Sequence, residues 1–133
     1  MPCHCINLRR VAGSLTSYYD QALADTGLNV GQFYLLMNLD AMTESNVTKL
    51  ADVLGLERTT VVRNLKPLLA DGFVADISGD NNRDRKIIVT AKGKTTLTKA
   101  IPLWKKTQRE VYSVIGAENI NMFQDVMTRL QQL

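Results

Sequence analysis

The stretch Leu50-Ala51-Asp52-Val53-Leu54-Gly55-Leu56-Glu57-Arg58-Thr59-Thr60-Val61 decides how this chain folds. A small residue, Ala51, sits inside one short helical segment. Gly55 follows four positions later and precedes a second such segment. Ala51 permits close helix packing, and Gly55 supplies the left-handed backbone angle of a tight turn. Leu56 and Val61 are expected to hold the second helix against the first. This is how a helix-turn-helix fixes its crossing angle.

The second helix of the pair is expected from about Glu57 to Asp71, with Gly72 ending it. Val61, Leu65, Leu68 and Leu69 share one face and read as buried. Facing out are Arg58, Thr59, Thr60, Arg63, Asn64 and Lys66, with no acid between Arg58 and Ala70. Such a face suits a DNA major groove, where arginine bonds guanine edges in two places and hydroxyls reach bases or phosphates.

Downstream the period changes. Residues 73–77 and 86–90 are β-compatible, and the segment between them is rich in turn formers, which together read as a hairpin. Its tip offers Arg83 and Arg85, with Lys86 behind. Arginines on a projecting β-tip can enter a narrow minor groove, where the negative potential is strongest. Asp80 and Asp84 are placed to steer them by ion pairing. Thr90 then caps a long helix to about Ile115, roughly 35–40 Å at 1.5 Å per residue. It carries an apolar stripe of Leu97, Ile101, Trp104, Val111 and Ile115, with Gln108 in the polar gap. A final helix from about Glu118 shows Ile120, Phe123, Val126, Met127, Leu130 and Leu133 on one face.

Upstream, a first helix spans about Ile6 to Asp25, its stripe made of Leu8, Val11, Ala12, Leu15, Tyr18, Tyr19, Ala22 and Leu23. Gly27 ends it. Asn29 starts a second helix, with Gln32 completing a capping box and Val30, Phe33, Leu36 and Met37 facing inward. After a polar loop from Met42, Asn46 caps a short third helix carrying Val47, Leu50, Ala51 and Leu54. The fold class is therefore mainly α with a small β-hairpin (α+β). One domain spans 1–133: residues 29–90 form a winged helix-turn-helix lobe, flanked by terminal helices in 1–28 and 91–133.

Composition sets bounds on function. The 133 residues are 45% hydrophobic and 22% charged with a net charge of +3, which describes a globular chain with a mild basic bias. No apolar stretch approaches membrane-span length, and Met1-Pro2-Cys3-His4-Cys5 lacks the basic then apolar pattern of a signal peptide, so a cytoplasmic location away from membranes is expected. His4 is the only histidine. No nucleophile–histidine–acid arrangement, phosphate loop or zincin motif is available, so neither an enzyme nor a cofactor is expected. Cys3 and Cys5 are too close to staple a fold. With Arg9 and Arg10 one to two turns on, and a helix N-terminus nearby, they form a candidate redox pair. Cys-His-Cys in a row is a poor set for surrounding one metal ion, and no metal is expected.

Taken in order, several motifs resemble the multiple antibiotic resistance regulator (MarR) family. They are Gly27-Leu28-Asn29-Val30-x-Gln32-Phe33-x-Leu35-Leu36, then Leu50-Ala51-Asp52-x-Leu54-Gly55-Leu56-x-Arg58-Thr59-Thr60-Val61-x-Arg63, then Asp71-Gly72-Phe73-Val74, and a basic wing ending Val89-Thr90-Ala91-Lys92-Gly93. The resemblance runs from about Ile6 to the C-terminus. It implies an obligate homodimer joined through the terminal helices, a recognition helix in the major groove and Arg83 as the wing-tip arginine in the minor groove. The chain departs from the family pattern at Asn81, where an aspartate often stands, so Arg85 is a candidate to share the role. Small aromatic effectors are also implied. Tyr18, Tyr19, Tyr34, Met37 and Trp104 are candidates for a cleft between the dimer helices and the winged lobe. The N-terminal Cys3-His4-Cys5-Ile6-Asn7-Leu8-Arg9-Arg10 resembles a subgroup with cysteines just before the first helix. The expected function is a regulator that binds a pseudopalindromic duplex operator, a repressor released by an aromatic ligand or an oxidant. The alternative is a winged-helix module for protein contacts that binds no DNA.

Overall fold

The computed structural model describes residues 1–42, 46–79 and 85–133. Its elements run α1 (His4–Leu23), a single 3-10 turn (Ala24–Thr26), α2 (Val30–Ala41), α3 (Val47–Leu54), α4 (Arg58–Ala70), β1 (Val74–Asp76), β2 (Ile87–Val89), α5 (Ala91–Ile115) and α6 (Ile120–Gln131). The fold is mainly helical with one small antiparallel sheet, in which Val74 pairs with Val89 and Asp76 with Ile87. Asp80, Asn81, Arg83 and Asp84 lie outside the described residues, as does most of the expected polar loop after Met42.

Local chemistry sets the element boundaries. Asn29 and Gln32 form the full capping box, each side chain accepting from the other's backbone N–H. Asn46 accepts from the Lys49 N–H at 2.7 Å, and Thr90 from the Gly93 N–H at 3.1 Å. Gly55 ends α3 at φ +65°, where a side chain would be strained. One contact was not legible locally: Asp20, on α1, accepts from the Val30 N–H at 2.8 Å. It satisfies an orphan donor of α2 and places a carboxylate at that helix's positive end.

The core lies under the winged lobe. Phe33, Leu36, Val47, Leu50, Val61, Leu65, Leu68, Ile87 and Leu23 are fully enclosed, and Trp104 of α5 stacks obliquely on Phe33 with ring centroids 5.6 Å apart. One expectation needs correction. Leu56 does not hold α4 to α3. It is exposed, because the left-handed turn at Gly55 sends the chain outward while the Leu56 N–H returns to the Ala51 carbonyl at 3.0 Å. Val61 alone of the pair is buried. Within one chain the apolar stripe of α1 is uncovered: only Leu23 is buried, while Leu8, Val11 and Tyr18 are exposed.

The start of α5 is locked onto the end of α4 and the start of β1. The Thr90 hydroxyl donates to the Gly72 carbonyl at 2.6 Å, and the Thr90 N–H donates to the Phe73 carbonyl at 3.0 Å. Lys92 reaches back to the Asp71 carbonyl at 2.5 Å with its ammonium 4.7 Å from the centre of the Phe73 ring, a cation at a helix C-terminus. Gly93 makes this approach possible: a Cβ there would lie 2.2 Å from the Phe73 carbonyl oxygen and 2.7 Å from Val89 Cγ1.

Two glycine substitutions should therefore act in opposite directions. Gly93→Ala should destabilise by about 1–3 kcal/mol, since backbone must move to admit the methyl. Gly31→Ala, whose Cβ would meet only Asn29 Oδ1 at an ordinary 3.5 Å, should gain up to about 1 kcal/mol of helix propensity. Urea unfolding midpoints check both, and equal midpoints for the two variants would contradict this packing.

Candidate nucleic-acid interface

Burial of Val61, Leu65 and Leu68 fixes the rotation of α4. Successive residues turn by about 100°, so Arg58, Val62, Lys66, Thr59 and Arg63 follow in that angular order along an arc that begins beside the buried face and runs round to the side away from it. These five line one open concavity of about 330 Å³. Arg58, Thr59, Arg63 and Lys66 are exposed and Val62 is half-buried. Among the described residues neither Arg63 nor Lys66 forms a salt bridge. The concavity thus has a cationic rim, a hydroxyl and an apolar floor, with no acid lining it.

The other two predicted residues of α4 sit apart from this concavity. Thr60 is half-buried and Asn64 exposed, both on the arc beyond Arg63. Val62 was missed in the sequence, where a valine beside Val61 reads as more core. Helical angle is the signal that would have found it, since it lies between Arg58 and Lys66 in the i, i+4, i+8 row.

At the hairpin, Arg85 and Lys86 are exposed. The Val47 N–H donates to the Arg85 carbonyl at 3.2 Å and the Ile77 N–H to the Lys86 carbonyl at 2.9 Å, while Asn46 pairs with Lys86 as a bridge. The base of the wing is therefore tied to the start of α3. Arg85 pairs with Asp76 across the hairpin at 3.6 Å. Asp80 and Asp84, the steering acids expected from the sequence, lie outside the described residues; the described partner of Arg85 is Asp76. Ser78 donates to the Asp76 carboxylate through both its hydroxyl and its backbone N–H. Those bonds, helped by the Arg85 charge, hold the Asp76 carboxyl below the usual carboxylate range. Its anionic form therefore persists wherever the protein is near neutral pH. Arg83 lies outside the described residues.

The residues expected to line an effector cleft divide. Tyr18 borders two open cavities. One of about 780 Å³ runs along α1 beside Arg10, Gly13, Ser14, Ser17 and Gln21. The other, of about 320 Å³, lies between α1 and α5 beside Leu103, Lys106, Thr107 and Glu110. The Tyr18 hydroxyl donates to Glu110, and that of Tyr19 to Gln108. The bond to Glu110 raises the Tyr18 pKa, and burial raises that of Tyr19. By contrast Met37 and Trp104 pack against the core, and Tyr34 is half exposed on α2. At the N-terminus Cys3 and Cys5 are free thiols, both exposed. No group of three His, Cys, Asp or Glu side chains among the described residues is placed to hold a metal ion, and no described helix is long and apolar enough to cross a membrane.

The sequence profile of the MarR family matches residues 28–87. No curated protein matches the chain. Among solved structures, the transcriptional regulator MosR of M. tuberculosis in complex with DNA is 35% identical at a TM-score of 0.83, over 98% of this chain and 97% of that one. A second MosR structure is 33% identical at a TM-score of 0.78, covering 98% and 96%. The MepR–DNA complex of S. aureus, at 18% identity, shares the fold with a TM-score of 0.84 over the full length of both chains. With a relative this similar along almost its entire length, and the family profile over its winged lobe, the chain belongs to the MarR family of transcriptional regulators.

Proposed function

We propose that the protein is a homodimeric repressor that binds a pseudopalindromic duplex operator in the cytoplasm. Residues 29–90 act as the DNA-binding lobe, and 1–28 with 91–133 supply the dimer helices. The observation that carries this reading is the cationic rim around the α4 concavity, formed by Arg58, Arg63 and Lys66, with no acid among its described lining residues. Arg63 reads a guanine edge, Thr59 and Lys66 contact phosphate or base, and Arg85 and Lys86 of the wing meet the adjacent groove. The DNA-bound state of the MosR relative supports it.

The dimer is argued from area left uncovered. No residue of α6 is buried; Met122, Phe123, Val126 and Leu130 lie exposed on it, and Ile6, Leu8 and Val11 lie exposed on α1. Burial of apolar area stabilises by about 25 cal/mol per Å², and a two-fold copy of the same helices is its natural cover. Two matched recognition helices would then stand roughly 34–36 Å apart, one turn of duplex. Release of DNA follows either oxidation of the exposed Cys3 and Cys5 or entry of an aromatic ligand beside Tyr18, each acting by linkage on the spacing of the two helices.

Arg63→Ala should lose about 1–3 kcal/mol of operator affinity and relax base preference, whereas Lys66→Ala should weaken all sequences alike and lower the salt slope by about one per lost phosphate contact. Fluorescence anisotropy against salt measures both. Little duplex affinity at any salt would instead favour a protein-interaction module.

By sedimentation, the parent chain should run at twice its 14.8 kDa subunit mass. Val126→Glu combined with Leu130→Glu should shift it toward the monomer and weaken operator binding together. A parent protein that sediments as a monomer at micromolar concentration would end the two-fold reading.

A further inference from the structure

The floor of the α4 concavity is apolar, and its surroundings are charged. Val62 is the one apolar side chain among the five that line it. Its inner side packs against the core, so the side chain is held from behind and offers a fixed methyl surface outward. Arg58 and Lys66 flank it one helical turn away on either side, and their aliphatic stems extend the same apolar floor while their charged ends reach the rim. A purely phosphate-binding surface has no use for such a floor. On the major-groove edge of duplex DNA a single base presents an apolar group: thymine, through its C5-methyl.

We infer that Val62 is a specificity residue that reads a thymine methyl group in each half-site. The inference rests on the DNA-binding reading above and deepens it. When α4 docks, the thymine methyl fills the space over Val62 and leaves the water. A cytosine amino group or a purine polar edge in its place would lose water without gaining a partner. Arg63 follows Val62 by one residue, about 1.5 Å along the helix axis. The thymine should therefore lie within about two base pairs of the guanine that Arg63 bonds, a pair of preferences close together in the half-site.

The test replaces single thymines by deoxyuridine, which keeps the Watson–Crick pairing and removes only the methyl. Duplexes selected by the full-length protein from a random pool would be substituted one position at a time, in both half-sites together and singly, and titrated by anisotropy at fixed salt. One or two thymine positions should lose about fourfold in affinity per half-site, the worth of one buried methyl, and about fifteenfold when both half-sites are changed. With Val62→Ala the parent duplex should bind about fourfold more weakly per half-site, and the deoxyuridine penalty at those positions should shrink to within twofold, a coupled pair in the double-mutant cycle. Should Val62→Ala melt below the assay temperature, Val62→Asn puts a planar amide of similar size where both methyls stand; the deoxyuridine scan itself needs no variant. A flat scan with tight, salt-sensitive binding would overturn this inference and leave the DNA-binding reading standing. A penalty that persists undiminished in the Val62 variants would remove Val62 as the reader. Failure to bind any duplex at low salt would remove both readings at once.

Discussion

Phe73 carries one carbonyl oxygen on which three parts of the fold converge. It follows the end of α4, it immediately precedes β1, and it receives the Thr90 N–H while the backbone of Gly93 presses close enough to exclude any side chain. Lys92 closes the same junction from outside, spanning from the last turn of α4 to the Phe73 ring. Wing, recognition helix and long helix α5 are therefore held at a single point by short polar contacts, each of which would leave a backbone group unpaired if it opened. A hydrophobic interface alone could slide more readily; here directional hydrogen bonds fix the register and the glycine permits the close approach they need. The orientation of the α4 face, and of the cations on it, depends on that register.

Much of this was legible in the sequence because it is local. A cap is a relation between a residue and its third neighbour, so Asn29, Asn46 and Thr90 announced the starts of α2, α3 and α5. Gly27, Gly55 and Gly72 marked places where the chain must adopt positive φ, and all three do. The rotation of α4 followed from the spacing of Val61, Leu65 and Leu68. What could not be read were the contacts between residues distant in the chain: Asp20 to Val30, Lys92 to Asp71, Arg85 to Asp76. Each depends on how two elements are brought together, and the periodicity of either element is silent on that. Leu56 illustrates the converse. An apolar residue after a helix-turn glycine looked like packing, yet the turn geometry gave its N–H a partner and its side chain to solvent.

The site divides along the same line. A sequence shows that Arg58, Thr59, Arg63 and Lys66 are polar and helically spaced, and polar residues on a solvated face are ordinary. Only the folded arrangement shows that they surround one concavity and that its floor is a valine. The combination matters because the two parts contribute differently to binding. Charges on the rim act over several ångströms, are weakened by salt, and attract any duplex. An apolar floor acts only at contact and is insensitive to salt. Under the proposed reading, Lys66 and the rim charges serve affinity, while Arg63 and the Val62 floor serve selectivity, all from one helix face.

The junction at Phe73 also bears on how a distant event could reach DNA. α5 is a continuous helix of 25 residues, about 37 Å at 1.5 Å per residue. One end is fixed to α4 by Thr90, Lys92 and Gly93. Toward the other, Gln108 and Glu110 receive the hydroxyls of Tyr19 and Tyr18 from α1, and the uncovered apolar faces of α1 and α6 lie on the terminal helices proposed to meet a second copy. Pro102 lies inside α5 between these two ends and lacks the N–H of the intrahelical bond, so a displacement at the α1 end would reach the α4 end either as movement of the whole helix or as bending at that proline. A ligand beside Tyr18, or a change at Cys3 and Cys5 on the first turn of α1, would then need to alter only the seating of α1 on α5 to change the separation of two recognition faces. Under that arrangement coupling requires no chain of side chains through the core. It would require only that α5, held at one end by Thr90, Lys92 and Gly93 and bonded toward the other to Tyr18 and Tyr19, change its seating.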